Sequence, residues 1–223
     1  GEAWTPVPMP GDVACLPLES FDARVHCRGW TGPGFDDSSW RSAYEITPLH
    51  TGADGRRSPP SSPFGALRPP VRVAFPAGSS HGAEHIGTDT VVGAAEHEDP
   101  VRQVLLDQES ETNPSGSVRL HRFDLGRIAA GSVTLEVDGA GAGTRIDVAA
   151  SEHVDTRGRL VTLGQHAGFR YVCRGVDDAF TTFAPTGSRY FNVAVRDPSD
   201  GNPPPGHRFA VAARPPPPPA VAP

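Results

Sequence analysis

Val133-Thr134-Leu135-Glu136-Val137 and Arg145-Ile146-Asp147-Val148-Ala149-Ala150 alternate apolar with polar or charged residues. Period 2 places one set of side chains on each face of a pleated strand, so both stretches read as strands with one buried and one wet face. Between them runs Gly139-Ala140-Gly141-Ala142-Gly143. A glycine run after a strand resembles a phosphate-cradling loop, but the next stretch is again a strand pattern. It offers no helix N-terminus for a pyrophosphate, so the glycines read as a hairpin connection.

The pattern extends both ways. Val118/Leu120 precede it, and Phe169/Tyr171/Cys173, residues 180–183, Phe191/Val193/Val195 and Phe209/Val211/Ala213 follow, each run bounded by Gly, Asp or Pro. Residues 71–75 alternate in the same way, and residues 101–108 suit a strand or a short helix. Strands this closely spaced make a sandwich. The prediction is an all-β fold: a jelly-roll-like β-sandwich over residues 71–214, an irregular Pro-rich N-terminal segment over 1–70, the remnant of a β-sandwich domain, and a Pro-rich tail over 215–223 that favours extended polyproline conformation.

Composition agrees. In 223 residues Val outnumbers Leu 21 to 11, and branched side chains suit a pleated surface. Gly and Pro contribute 25 residues each. Their joint share stays below the roughly 25 to 30% that marks low-complexity chains. All 20 basic residues are Arg, yet the net charge is −6 and the pI about 5.8. That balance argues against a nucleic-acid partner. No run of apolar residues reaches membrane-spanning length, so no membrane partner is expected. The start, Gly1-Glu2-Ala3-Trp4, has no signal-peptide pattern, and an N-terminal Gly suits a processed end, so the compartment is left open. Cys15, Cys27 and Cys173 lack CxxC spacing and read as free thiols, with a Cys15–Cys27 bridge as the alternative.

Within 1–70, the most ordered piece is expected at 21–46, residues 52–63 read as a linker, and a boundary follows near 64–70. In Gly34-Phe35-Asp36-Asp37-Ser38-Ser39-Trp40, Asp or Ser is expected to cap a short turn that carries Trp40 inward.

Candidate chemistry is sparse. His81-Gly82-Ala83-Glu84-His85 satisfies the inverted zinc-protease pattern, which requires a helix to present both histidines to one metal. Gly82 and the flanking Gly and Ser residues argue for a solvated loop instead. Asp36-Asp37, the acids in 96–99 and Asp177-Asp178 are the paired carboxylates, and adjacent acids in turns usually cap backbone N–H groups. No catalytic residue, cofactor or metal is expected.

Three stretches together resemble the bacterial α-L-rhamnosidases. The first is Glu19-Ser20-Phe21-Asp22-Ala23-Arg24 through Gly29-Trp30 to Gly34-Phe35-Asp36-Asp37-Ser38-Ser39-Trp40. The second is Phe123-Asp124-Leu125-Gly126-Arg127 with Glu152 and Gly158-Arg159-Leu160. The third is Phe169-Arg170-Tyr171 with Phe183-Ala184-Pro185 and Gly187-Ser188-Arg189-Tyr190, where Ser188 stands in place of the family's usual Phe. The resemblance implies the β-sandwich region that precedes an (α/α)6 catalytic barrel, and no stretch here matches that barrel. The function it implies is a non-catalytic accessory module, with the barrel of a full-length parent and rhamnose-containing glycans as partners. The chain alone is then expected to be inactive. Alternatives are a purely structural or interaction module, or a zinc hydrolase using His81, Glu84 and His85. A carbohydrate site is expected at exposed Trp30 with Asp36, Asp37 and Arg24, near the sandwich junction.

Overall fold

The computed structural model describes residues 4–7, 18–30, 32–42, 80–113, 115–162, 167–197 and 208–214. Its elements are β1 (Trp4–Val7), β2 (Leu18–Asp22), β3 (His81–Gly82), β4 (Glu84–Val91), α1 (Pro100–Gln108), β5 (Val118–Asp138), β6 (Arg145–Ser151), β7 (His153–Val154), β8 (Leu160–Val161), β9 (Ala167–Val172), β10 (Asp178–Thr181), β11 (Thr186–Arg196) and β12 (Arg208–Arg214). The chain divides into two compact units, Gly1–His26 with Ala77–Pro223, and Cys27–Pro76. The first carries the sheet, and the expected strand at 71–75, the linker at 52–63 and the boundary at 64–70 lie outside the described residues.

The alternating runs form strands, and the fold is all-β apart from α1. Two strands, β1 and β2, form inside the stretch read as irregular, and β2 runs parallel to β9 while the other pairings are antiparallel. Val118/Leu120 and Val133/Leu135/Val137 belong to one strand, the 21-residue β5, rather than two. Its first part pairs with β4 and β11, and residues 132–138 pair with β12. β10 lies against residues 134–137 on the other side. A strand shared in this way curls the sheet over itself.

The bend in β5 is built into Asp124-Leu125-Gly126-Arg127. Ser188 pairs with Ala129 while Tyr190 pairs with Asp124, so a bulge takes up the residues between. Gly126 lies there with φ +74°, a left-handed conformation glycine adopts without Cβ strain, and its N–H donates to Asp124 Oδ1 at 2.6 Å.

Both layers face one core. Ile146, Val148, Phe169, Tyr171, Phe191 and Val193 from one side meet Val133, Leu135 and Phe180 from the other. Phe180 reaches across to Phe169 and Tyr171, with ring centroids 5.2 and 5.8 Å apart. Tyr171 Oη donates to Asp178 Oδ1 at 2.8 Å, and Asp178 also accepts the N–H groups of Arg174 and Gly175, both at 2.8 Å, closing the turn between β9 and β10. Burial, then the neighbouring Asp178, pushes the Tyr171 pKa up.

The wet outer face expected for the strands is covered on β6 and β11. Residues 101–108 form α1, whose N-cap Asp99 accepts from the N–H groups of Val101 and Arg102 and whose first turn begins at Pro100. Its Val101 and Val104 pack with Ala149 and Ala194 in a second apolar cluster. The helix approaches so closely that a Cβ on Gly168 would lie 2.2 Å from Val148 O and 2.6 Å from Val101 Cγ2. Asp147, an outward position by alternation, is therefore fully buried. It is held by Arg170 Nε at 2.6 Å and Arg145 Nε at 3.3 Å, while Arg196 spans Asp147 and Asp107 of α1.

The glycine run at 139–143 is a connection but no hairpin. It joins β5 to β6, which are not partners: β6 lies between β9 and β11. Alternation marks where strands lie and carries no information on which ones pair.

Candidate functional site

The second unit contains the expected aromatic site. Around Trp30 the backbone turns at Gly29 and Gly34, both with positive φ (+77° and +88°). Gly32 N–H donates to Gly29 O at 2.8 Å and Trp40 N–H to Asp37 O at 2.8 Å. Asp36 Oδ1 accepts from Ser38 N–H at 3.0 Å, an Asx turn. The Ser38 hydroxyl, and then that N–H, hold the Asp36 pKa below the usual carboxylate value.

These turns do not carry Trp40 inward. Trp40 is 48% exposed and Trp30 is 49% exposed, their rings 6.3 Å apart and tilted by 40°. Phe35, half-buried, leans on Trp40 at 5.4 Å. Rings whose faces remain partly open can stack on the C–H face of a sugar, with neighbouring carboxylates accepting from its hydroxyls. The sequence reading set Trp30 with Asp36 and Asp37 and favoured a core position for Trp40, whereas Trp40 stands beside Trp30, and Phe35 beside Trp40. A segment this short and rich in Gly and Asp has little apolar area with which to bury an indole, and that was the available signal.

Arg24 belongs to the sheet unit and its fork is already occupied. Its Nε and Nη2 donate to Asp22 Oδ1 and Oδ2 at 2.9 and 2.7 Å, and its N–H donates to Oδ1 at 3.0 Å. Arg24 in return holds the Asp22 pKa low.

His81, Glu84 and His85 lie on β3 and β4, not on a helix, so the inverted zinc-protease spacing does not place both histidines on one helical face. His85 Nε2 lies 2.8 Å from Thr88 Oγ1, and His81 contacts Arg127. No group of three or more His, Cys, Asp or Glu is arranged to hold a metal among the described residues. The paired acids have structural duties as well: Asp99 caps α1, Asp178 closes a turn, and Glu96 pairs with Arg145. Cys27 is free and exposed and Cys173 is free and buried; Cys15, and with it the alternative Cys15–Cys27 bridge, lies outside the described residues.

Of the three stretches that carry the rhamnosidase resemblance, the start of the first, residues 19–24, meets the second and third in the sheet unit. Glu19 accepts the N–H groups of Phe183 and Ala184 at 3.0 and 2.8 Å, Phe21 stacks on Tyr171, and Asp124 receives Arg189. Comparison with known proteins places the same region. Residues 118–204 match the family described as the bacterial alpha-L-rhamnosidase concanavalin-like domain. No curated protein matches the chain. Among solved structures, the chain is similar to a GH78 family rhamnosidase of Bacillus sp. GL1, at 27% identity over 44% of this chain and 10% of that one, with a TM-score of 0.36. It is similar to an alpha-L-rhamnosidase from Dictyoglumus thermophilum at 19% identity over 86% of this chain and 18% of that one, with a TM-score of 0.48. A chitosan-binding module of a chitosanase/glucanase from Paenibacillus sp. IK-5 matches at 14% identity over 60% of this chain and 94% of that one, with a TM-score of 0.33. The chain thus spans less than a fifth of either rhamnosidase's length. Residues 118–204, which run from β5 through β11, are thus similar to the concanavalin-like domain of the bacterial α-L-rhamnosidases.

Proposed function

We propose that the chain serves as a non-catalytic module of an α-L-rhamnosidase-like glycoside hydrolase, supporting a catalytic barrel and contacting rhamnose-containing glycans through Trp30, Asp36 and Asp37. The observation that carries the glycan contact is the Trp30–Trp40 pair, two neighbouring indoles each about half exposed on a turn whose carboxylate Asp36 is also exposed. An indole left half open by its own unit has apolar area available to a sugar ring. Arg24 lies in the sheet unit, where a bidentate pair with Asp22 holds its guanidinium.

Titration of the isotope-labelled chain with L-rhamnose, followed by amide NMR and with galactose as control, tests this reading. Saturable shifts at Trp30 and Asp36 with rhamnose alone support it. Dispersed spectra that ignore both sugars, or a Trp30→Ala variant that binds undiminished, overturn the glycan contact and leave a scaffold.

A further inference from the structure

The sheet unit has a second concave surface, independent of the Trp30 turn. It is a cleft of about 300 Å³ between the end of α1, the β4–β5 pair and the turn joining β7 to β8. That size is at the lower end of the range for small-molecule sites. Its floor is Val91 and Leu120, both buried, and its walls are polar: Asp89, Thr112, Arg122, Arg157 and Asn192.

Asn192 is the informative residue. It is 2% exposed on β11, and its Nδ2 donates to Gln108 Oε1 at 3.1 Å. Gln108 is itself fixed, accepting Leu160 N–H and donating to Leu160 O, both at 3.0 Å. Asn192 Oδ1 accepts from no described residue and faces the cleft. The oxygen is thus a fixed acceptor open to the cleft. A ligand hydroxyl satisfies it.

The charges select the class of ligand. Arg122 Nη2 is 3.1 Å from Asp89 Oδ2, and Arg159 is bound by Asp155 and Glu109. With those cations matched, the cleft presents donors and acceptors side by side rather than a positive field. Arg157, on the rim, has no carboxylate partner among the described residues and adds further donors. A hydroxyl both donates and accepts, so vicinal hydroxyls fit an alternation of carboxylate, amide and guanidinium. The apolar floor suits the C–H face of a ring. The geometry points to a binding site for one neutral sugar ring, held by Asp89, Asn192 and Arg122 over Val91 and Leu120.

Amide NMR of the labelled 223-residue chain tests this, using methyl α-L-rhamnopyranoside and methyl β-D-galactopyranoside as neutral probes and glucuronate as the charged one, each to tens of millimolar. A neutral glycoside is expected to shift the amides of Asp89, Thr112 and Gly158 saturably, and more strongly than glucuronate does. Asp89→Asn weakens that binding about tenfold, the loss expected from one charge-assisted hydrogen bond. Trp30→Ala leaves it unchanged, which separates this site from the one proposed at Trp30. The site is overturned if neither neutral glycoside moves these amides, if shifts are confined to the Trp30 turn, if glucuronate binds more tightly there, or if Asp89→Asn binds undiminished.

Discussion

Arg189 lays its Nε and Nη2 on the two carboxylate oxygens of Asp124 at 2.8 and 2.9 Å, joining the β5 bulge to the strand that skips it. Asp124 also holds Gly126 N–H, so one side chain shapes the bulge and fastens it to β11. The Arg189 guanidinium carbon lies 4.7 Å from the ring centre of Tyr190. The motif in β5 and the motif in β11, 65 residues apart, are one structural device.

Arg189 holds the Asp124 pKa below the usual carboxylate value. A lowered folded-state pKa means that the unfolded chain takes up a proton first. The pair's contribution is therefore present above about pH 4 and is lost as pH falls through the folded-state value. Arg189→Ala is expected to lower Tm by roughly 2–4 °C at neutral pH, since the pair is partly exposed, and by less in acid. Thermal unfolding at pH 7 and pH 3 checks this.

Glu19 ties β2 to the segment between β10 and β11 by accepting two N–H groups from a buried position. Glu19→Gln keeps the shape but turns one acceptor into a donor facing an N–H. The expected cost is about 1–3 kcal/mol, read from urea denaturation.

Removal of Arg196 leaves Asp107 and Asp147 beneath α1 with fewer cations. Arg196→Met is expected to destabilise by about 3–5 kcal/mol at pH 7. Burial already raises the Asp107 pKa against the opposing pull of Arg196. Without Arg196 it rises further, so protonation on acidification removes the uncompensated charge. The gap between variant and parent should narrow from pH 7 to pH 5 in urea titrations; a gap that widens contradicts this account.

Thiol reactivity should separate Cys27 from Cys173. Burial, then Asp178, pushes the Cys173 pKa up to about 12, while Cys27 is exposed. Mass mapping after brief alkylation at pH 8 is expected to find Cys27 modified and Cys173 untouched until the chain is unfolded.

Much of the sheet was legible from residue order. Ile146/Val148/Ala150 and Phe191/Val193/Val195 do line the core, as their alternation implies. The opposite faces were not legible. Asp147 in a period-2 run reads as a solvent position, yet α1 covers it, and the arginines that make its burial tolerable come from β9 and β11. Trp40 failed in the other sense. Its apolar ring suggested a core position, and it lies half exposed against Trp30.

Local order along the chain determined where the strands lie and which residues interrupt them. Side-chain alternation and the conformational demands of Gly and Pro act within a few residues, and any neighbour can satisfy them. Pairing partners came from folding in three dimensions: β2 beside β9, β5 shared by both sides of the curled sheet, and a helix over β6. Those choices rest on contacts such as Glu19 to Phe183 and Asp107 to Arg196, 164 and 89 residues apart. Their energies appear only once distant faces have been brought together and closed to water.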